Sequence, residues 1–117
     1  MSSQATSIKI RYETLRSIAF GDISGGYSPV GSSFENAVRM IKVTNTTDAD
    51  MIISYDGSRD MDVIPARTAQ ILDYGSNKTS VGGQLDQSLG ERLYVRQESS
   101  SPTLGSVYAT IIYASAS

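Results

Sequence analysis

The densest group of side chains that could do chemistry lies in YDGSRDMD, where Asp56, Asp60 and Asp62 stand close together around Gly57 and Arg59. Hard oxygen ligands at short spacing beside a glycine are what a calcium ion needs. The competing explanation is local. Asp-Gly suits the turn itself, Arg59 supplies a counter-charge, and the terminal Glu of an EF-hand loop is missing. Turn chemistry is therefore expected there, and no metal or cofactor. Histidine and cysteine are absent from the chain. Their absence removes the ordinary general base, the commonest zinc ligand, the thiol nucleophile and any disulfide framework. The expectation is a protein that is not an enzyme.

Two further motifs reduce to turn chemistry. Asn45-Thr46-Thr47 and Asn77-Lys78-Thr79 match the glycosylation sequon, and both sit in turn-rich sequence. Gly21, Gly25, Gly26 and Gly31 lack the strand, helix and lysine context of a phosphate loop and suit an adaptable loop instead. Ten Lys and Arg against twelve Asp and Glu leave a net charge of −2, spread without blocks, so no basic field draws nucleic acid or anionic lipid. The N-terminal sequence lacks the apolar core of a signal peptide, and no run is long enough to span a membrane. Synthesis and folding in a cytoplasm are expected.

The elements that must position any site are strands. With 117 residues the chain suits one domain with one core. Period-2 alternation begins at Ile8, Ile10 and Tyr12, which face one way while Lys9 and Arg11 face the other, and predicts a half-buried strand. Further strands are predicted over 15–23, 37–44, 51–55, 61–64, 68–74, 92–97 and 107–113. Ser24-Gly25-Gly26 and Pro29 imply an irregular loop through Ser33, and Asp56-Gly57 marks a hairpin. Residues 75–90, rich in Gly, Ser, Gln and Asn, form the longest loop. Ser32-x-x-Glu35 has the spacing of a helix capping box, but Val38, Ile41 and Val43 are β-branched and favour a strand after it. The pattern predicts an all-β fold: a single-domain antiparallel β-sandwich or jelly roll of about seven or eight strands over 1–117, with 1–7 as a flexible N-terminal arm.

Seven tyrosines against two phenylalanines and no tryptophan suggest rings with one end buried and one end wet. Tyr74, Tyr94, Tyr108 and Tyr113, with Ile112, are the candidate interaction face; tyrosines merely standing on outer strand faces fit the same pattern. In VYATIIY both phases are largely apolar, with Val107, Ala109, Ile111 and Tyr113 on one side and Tyr108, Thr110 and Ile112 on the other. Either this strand is covered on both faces or one face meets another subunit.

The stretch from Arg39 to Lys78, followed by RLYVRQ and GSVYATIIYA, resembles a family of small virion proteins of tailed bacteriophages. The resembling features are Val43-Thr44-Asn45, the Thr47-Asp48-Ala49-Asp50 turn, Ile53-Ser54-Tyr55-Asp56-Gly57, Val63-Ile64-Pro65-Ala66, the turn from Tyr74 to Lys78, and Gly105-Ser106-Val107-Tyr108. These are turn and strand signatures, none of them catalytic. The resemblance implies a β-sandwich built into a phage particle, most similar to a capsid cement or decoration protein that bridges and stabilises major capsid subunits. It implies other virion proteins as partners, a homo-oligomer with a dimer favoured, no nucleic acid and no membrane. Residues 1–7 and 27–33 are then candidate arms that order on binding. Two other readings stand beside it: a neck or tail component such as an adaptor, completion or collar protein, and a carbohydrate- or receptor-binding sandwich.

Overall fold

Among the described residues nine strands form: β1 (Ile8–Tyr12), β2 (Arg16–Ala19), β3 (Ser28–Pro29), β4 (Val38–Asn45), β5 (Met51–Ser54), β6 (Asp62–Ile64), β7 (Thr68–Asp73), β8 (Tyr94–Gln97) and β9 (Ser106–Ala116), with a short 3-10 turn at Phe20–Asp22. The structure is a computed structural model that describes residues 8–36, 38–73 and 92–116. Most of the long loop expected over 75–90, the arm over 1–7 and Tyr74 lie outside the described residues.

The strands build two antiparallel sheets. The first has the order β1-β9-β4-β7, with β2 also on β9, and the second has the order β3-β8-β5-β6. The pairing is nested: β1 and β2 with β9, β3 with β8, β4 with β7, and β5 with β6. This is one long hairpin whose halves pair along their length. Rolling it up brings β9 beside β4 and β8 beside β5. Counting β1 and β2 as one interrupted strand, the result is an eight-stranded jelly roll, two four-stranded sheets wrapped face to face. The domain is all-β, as the alternation predicts.

Alternation decides which side chains meet between the sheets. From the first sheet come Ile41, Val43, Val107, Ala109 and Ile111; from the second come Met51, Ile53, Ile64 and Val95, all essentially inaccessible. β-branched residues dominate because they fit the pleated surface and lose little rotamer freedom there. Phe34 and Val30 close the core from the segment before β4, so no helix forms at the capping-box sequence. Residues 27–33, expected as an arm, are instead part of the fold: Val30 is fully buried and its N–H donates to the Leu93 carbonyl at 2.8 Å. β3 was missed because Ser28-Pro29 is too short to show a period and proline reads as a breaker.

The first strand also departs from expectation, because Ile10 and Tyr12 point away from the core and are 64% and 66% exposed. Tyr12 opposes Ile112, whereas Arg16 opposes Ala109, so three residues of one strand face two of the other. That extra residue is a β-bulge, and shifting phase by one residue exchanges the faces. Beyond the bulge Arg16 and Ile18 point inward, with Glu13 turned in beside them.

Arg16 and Glu13 form a buried clamp. Arg16 donates from Nε to the Ser32 carbonyl (2.9 Å), from Nη2 to that of Ser33 (2.7 Å) and from Nη1 to that of Thr14 (3.0 Å). Nη2 lies 2.8 Å from a Glu13 oxygen. Glu13 in turn accepts from the Glu35 N–H (3.1 Å) and the Asn36 side-chain amide (2.9 Å). Gly31 has φ +70°, and a Cβ there would stand 2.7 Å from the Arg16 side chain. The segment before β4 thus lies directly on the arginine, held by hydrogen bonds from charged groups, the stronger kind.

Candidate interaction surface

The two outer faces of the sandwich differ. Over the second sheet, the loop between β5 and β6 folds back and forms a polar roof. Asp60 pairs with Arg96 Nη2 at 2.7 Å and Nε at 3.2 Å, accepts from the Tyr27 hydroxyl, and the Arg96 guanidinium lies 5.8 Å from the Tyr27 ring centre. Asp56 accepts from the Ser54 hydroxyl and from the backbone N–H groups of Ser58 and Arg59. Asp62 accepts from its neighbour Val63 N–H and from Gln70, which ties β6 to β7 across the sheets. The three aspartates therefore hold three different parts of the fold, and among the described residues no group of three or more acidic, His or Cys side chains is placed to hold a metal ion.

These carboxylates give acid sensitivity. The Arg96 hydrogen bonds hold Asp60 below the usual carboxylate range, the Thr103 hydroxyl does the same for Asp48, and the Arg59 and Ser58 N–H groups pull Asp56 lower still. A carboxylate whose folded value is depressed stabilises the fold above its unfolded value, and that stability is lost as pH falls through the folded one. All three are solvent-exposed, so each effect is small. The urea midpoint is expected to fall as pH drops below about 4, and Asp60→Asn is expected to flatten part of that fall while changing the neutral-pH midpoint little.

Over the first sheet no polar roof forms among the described residues. Register places Ile10 beside Ala114, Tyr12 beside Ile112, Met40 beside Ile112, Lys42 between Thr110 and Ile71, and Thr44 between Tyr108 and Ala69. Tyr12, Ile112 and Met40 thus form an apolar row across three strands, continued by Ile10 and Ala114. Ile71 is 60% exposed in β7. Among the described residues, the charged residue that register assigns to this face is Lys42; Arg39 sits in the bulge between Val38 and Met40. A solvated sheet face ordinarily alternates into polar and charged residues, whereas interface centres are depleted of charge and enriched in Tyr and Met.

The residues singled out from sequence divide between surfaces. Tyr108 and Ile112 stand half-buried on this face. Tyr113 has the opposite phase, opposing Val38 at the sheet end. Tyr94 is on the second sheet, against Gly57, where a Cβ would lie 3.3 Å from its ring. β9 is central in its sheet, and among the described residues the other sheet covers its Val107, Ala109 and Ile111 face. Ile10, Tyr12, Met40 and Ile71 were not anticipated as surface residues. The available signal was the thin charge on the even phase of VRMIKVTN.

Asn45, the first sequon residue, is buried: its amide donates to the carbonyls of Ala49 (2.9 Å), Ile64 (3.1 Å) and Pro65 (3.2 Å), while its oxygen accepts from the Thr47 N–H and hydroxyl. It is a staple between loops. Fold and surface together define a jelly-roll domain whose first sheet, among the described residues, has a weakly charged, apolar outer face. No protein-family model matches the chain, and no curated protein matches it.

Proposed function

We propose that this chain is a structural part of a tailed-bacteriophage particle, a cement or decoration protein that bridges neighbouring major capsid subunits. The observation that carries the reading is the outer face of the first sheet, where the exposed Ile10 and Tyr12 and the half-buried Met40 and Ile112 form an apolar patch, a feature associated with protein contact. The sequence resemblance to small virion proteins supports the same reading. The jelly roll adds support by analogy alone, since capsid and lectin domains both use it.

In this role the chain binds protein through a rigid sheet face, and many modest contacts on a symmetric lattice add up through avidity. The test is copy number in purified particles of the encoding virus, measured by quantitative mass spectrometry. A cement protein is expected at on the order of hundreds of copies, the number a symmetric shell demands. A small ring number, about six or twelve, would move the chain to the neck or tail. Absence from the particle would overturn the proposal.

A further inference from the structure

We propose that β7 is a self-pairing edge, through which two copies of this chain join their first sheets into one continuous sheet about a two-fold axis at Ile71. The inference deepens the reading above, on which it rests for the purpose of a weak self-association, but its physical basis is independent of any particle.

A jelly roll leaves four sheet edges, each a row of unpaired backbone groups that native proteins ordinarily blunt. Three are blunted here. The edge formed by β1 and β2 is broken by the bulge. β3 is two residues long and contains Pro29. β6 is three residues long, starts at Asp62 and runs into Pro65. β7 differs: TAQILD has six residues, no proline and no lysine, and among the described residues it pairs with β4 alone.

Its sequence also fits its own copy. In an antiparallel pair the residues directly opposite share a face, so an axis perpendicular to the sheet must set even positions against even and odd against odd. Centred on Ile71, the pairing opposes Ile71 to Ile71 of the second copy, Gln70 to Leu72, and Ala69 to Asp73. An exposed isoleucine gains an apolar partner, and no like charges face each other. Because Ile71 neighbours Lys42 on the outer face, the weakly charged surfaces of both copies become continuous across the axis. One strand pair buries less than a standard interface, so the dimer is weak and concentration-dependent.

The chain has no cysteine, which makes disulfide trapping clean. Opposed residues in an antiparallel pair have Cα atoms about 4.5–5.5 Å apart, within disulfide reach. Ile71→Cys is compared with Ile10→Cys, an equally exposed residue on the blunted edge. Under mild oxidation Ile71→Cys is expected to form covalent dimer at least about tenfold faster, because pairing raises the effective thiol concentration. Sedimentation of the unmodified protein is expected to show a mass rising toward the dimer with concentration, and Ile71→Lys to abolish that rise while leaving the circular dichroism unchanged. Equal oxidation rates for the two cysteine variants, or a monomeric mass at about millimolar concentration, would overturn the self-pairing edge. Either result leaves the copy-number test of the particle role standing, so the two proposals fail separately.

Discussion

Arg16→Met is expected to lower unfolding stability by about 3–5 kcal/mol, the range for removing one partner of a buried ion pair. The cost has two parts. Glu13 is left as a buried carboxylate whose nearest positive charge has gone, with the Glu35 N–H and Asn36 amide as its remaining donors. The carbonyls of Thr14, Ser32 and Ser33 each lose a charge-assisted hydrogen bond. Urea unfolding at neutral pH measures the total, and hydrogen exchange locates it: the amides of residues 30–36 should lose protection first. The double variant Glu13→Gln, Arg16→Met should recover part of the loss, because the uncompensated charge is gone. Arg59→Ala is the control, since its pair with Asp56 is 3.7 Å long and exposed, and should leave the urea midpoint nearly unchanged. For a domain whose total stability is about 5–15 kcal/mol, the first variant would lose a large fraction of it.

Asn45→Asp is the second large effect, expected at about 3–5 kcal/mol by the same denaturation measurement. The change is nearly isosteric, so packing is preserved and hydrogen bonding is tested alone. At present one amide nitrogen serves the carbonyls of Ala49, Ile64 and Pro65, linking the β4–β5 loop to the β6–β7 connection. A carboxylate at that point has no proton to give. It would set negative charge against three carbonyl oxygens in a buried place, while the Thr47 contacts to the other oxygen survive. Asn45→Ala should be destabilising as well, and the difference between the two reports the repulsion.

Both residues also show where sequence reasoning stops. β4, β8 and β9 were legible as strands because alternation over several residues is a direct record of two faces, and one phase of each is inaccessible in the fold: Ile41 and Val43, Val95, and Val107, Ala109 and Ile111. The Asp56-Gly57 hairpin between β5 and β6 was legible for the same kind of reason, Gly57 adopting φ +75° in the turn. The bulge was not legible. One extra residue at 13–15 leaves no mark in composition, yet it turns Ile10 and Tyr12 outward and puts an arginine in the core. A signal did exist in Arg16-Ser17-Ile18, where the arginine shares its phase with an inward isoleucine. Asn45 was read as a turn residue, correctly in place, but its reach to Ile64 and Pro65 depends on strands that meet only after rolling. The tyrosines failed as a single face for a related reason: Tyr94 and Tyr108 belong to different sheets, a fact of topology and not of period.

The apolar outer face of the first sheet bears the functional reading, and its direct test is occupancy of the particle by a variant that folds but cannot make the contact. Ile10→Lys with Tyr12→Lys replaces two exposed side chains outside the core, so circular dichroism and the urea midpoint should stay near those of the parent. Particles produced with this variant are then purified and its copies counted beside the parent protein's. The expected result is loss of most copies from the particle with the protein still folded in the soluble fraction. Parent-level occupancy by the folded double variant would contradict assembly through this face.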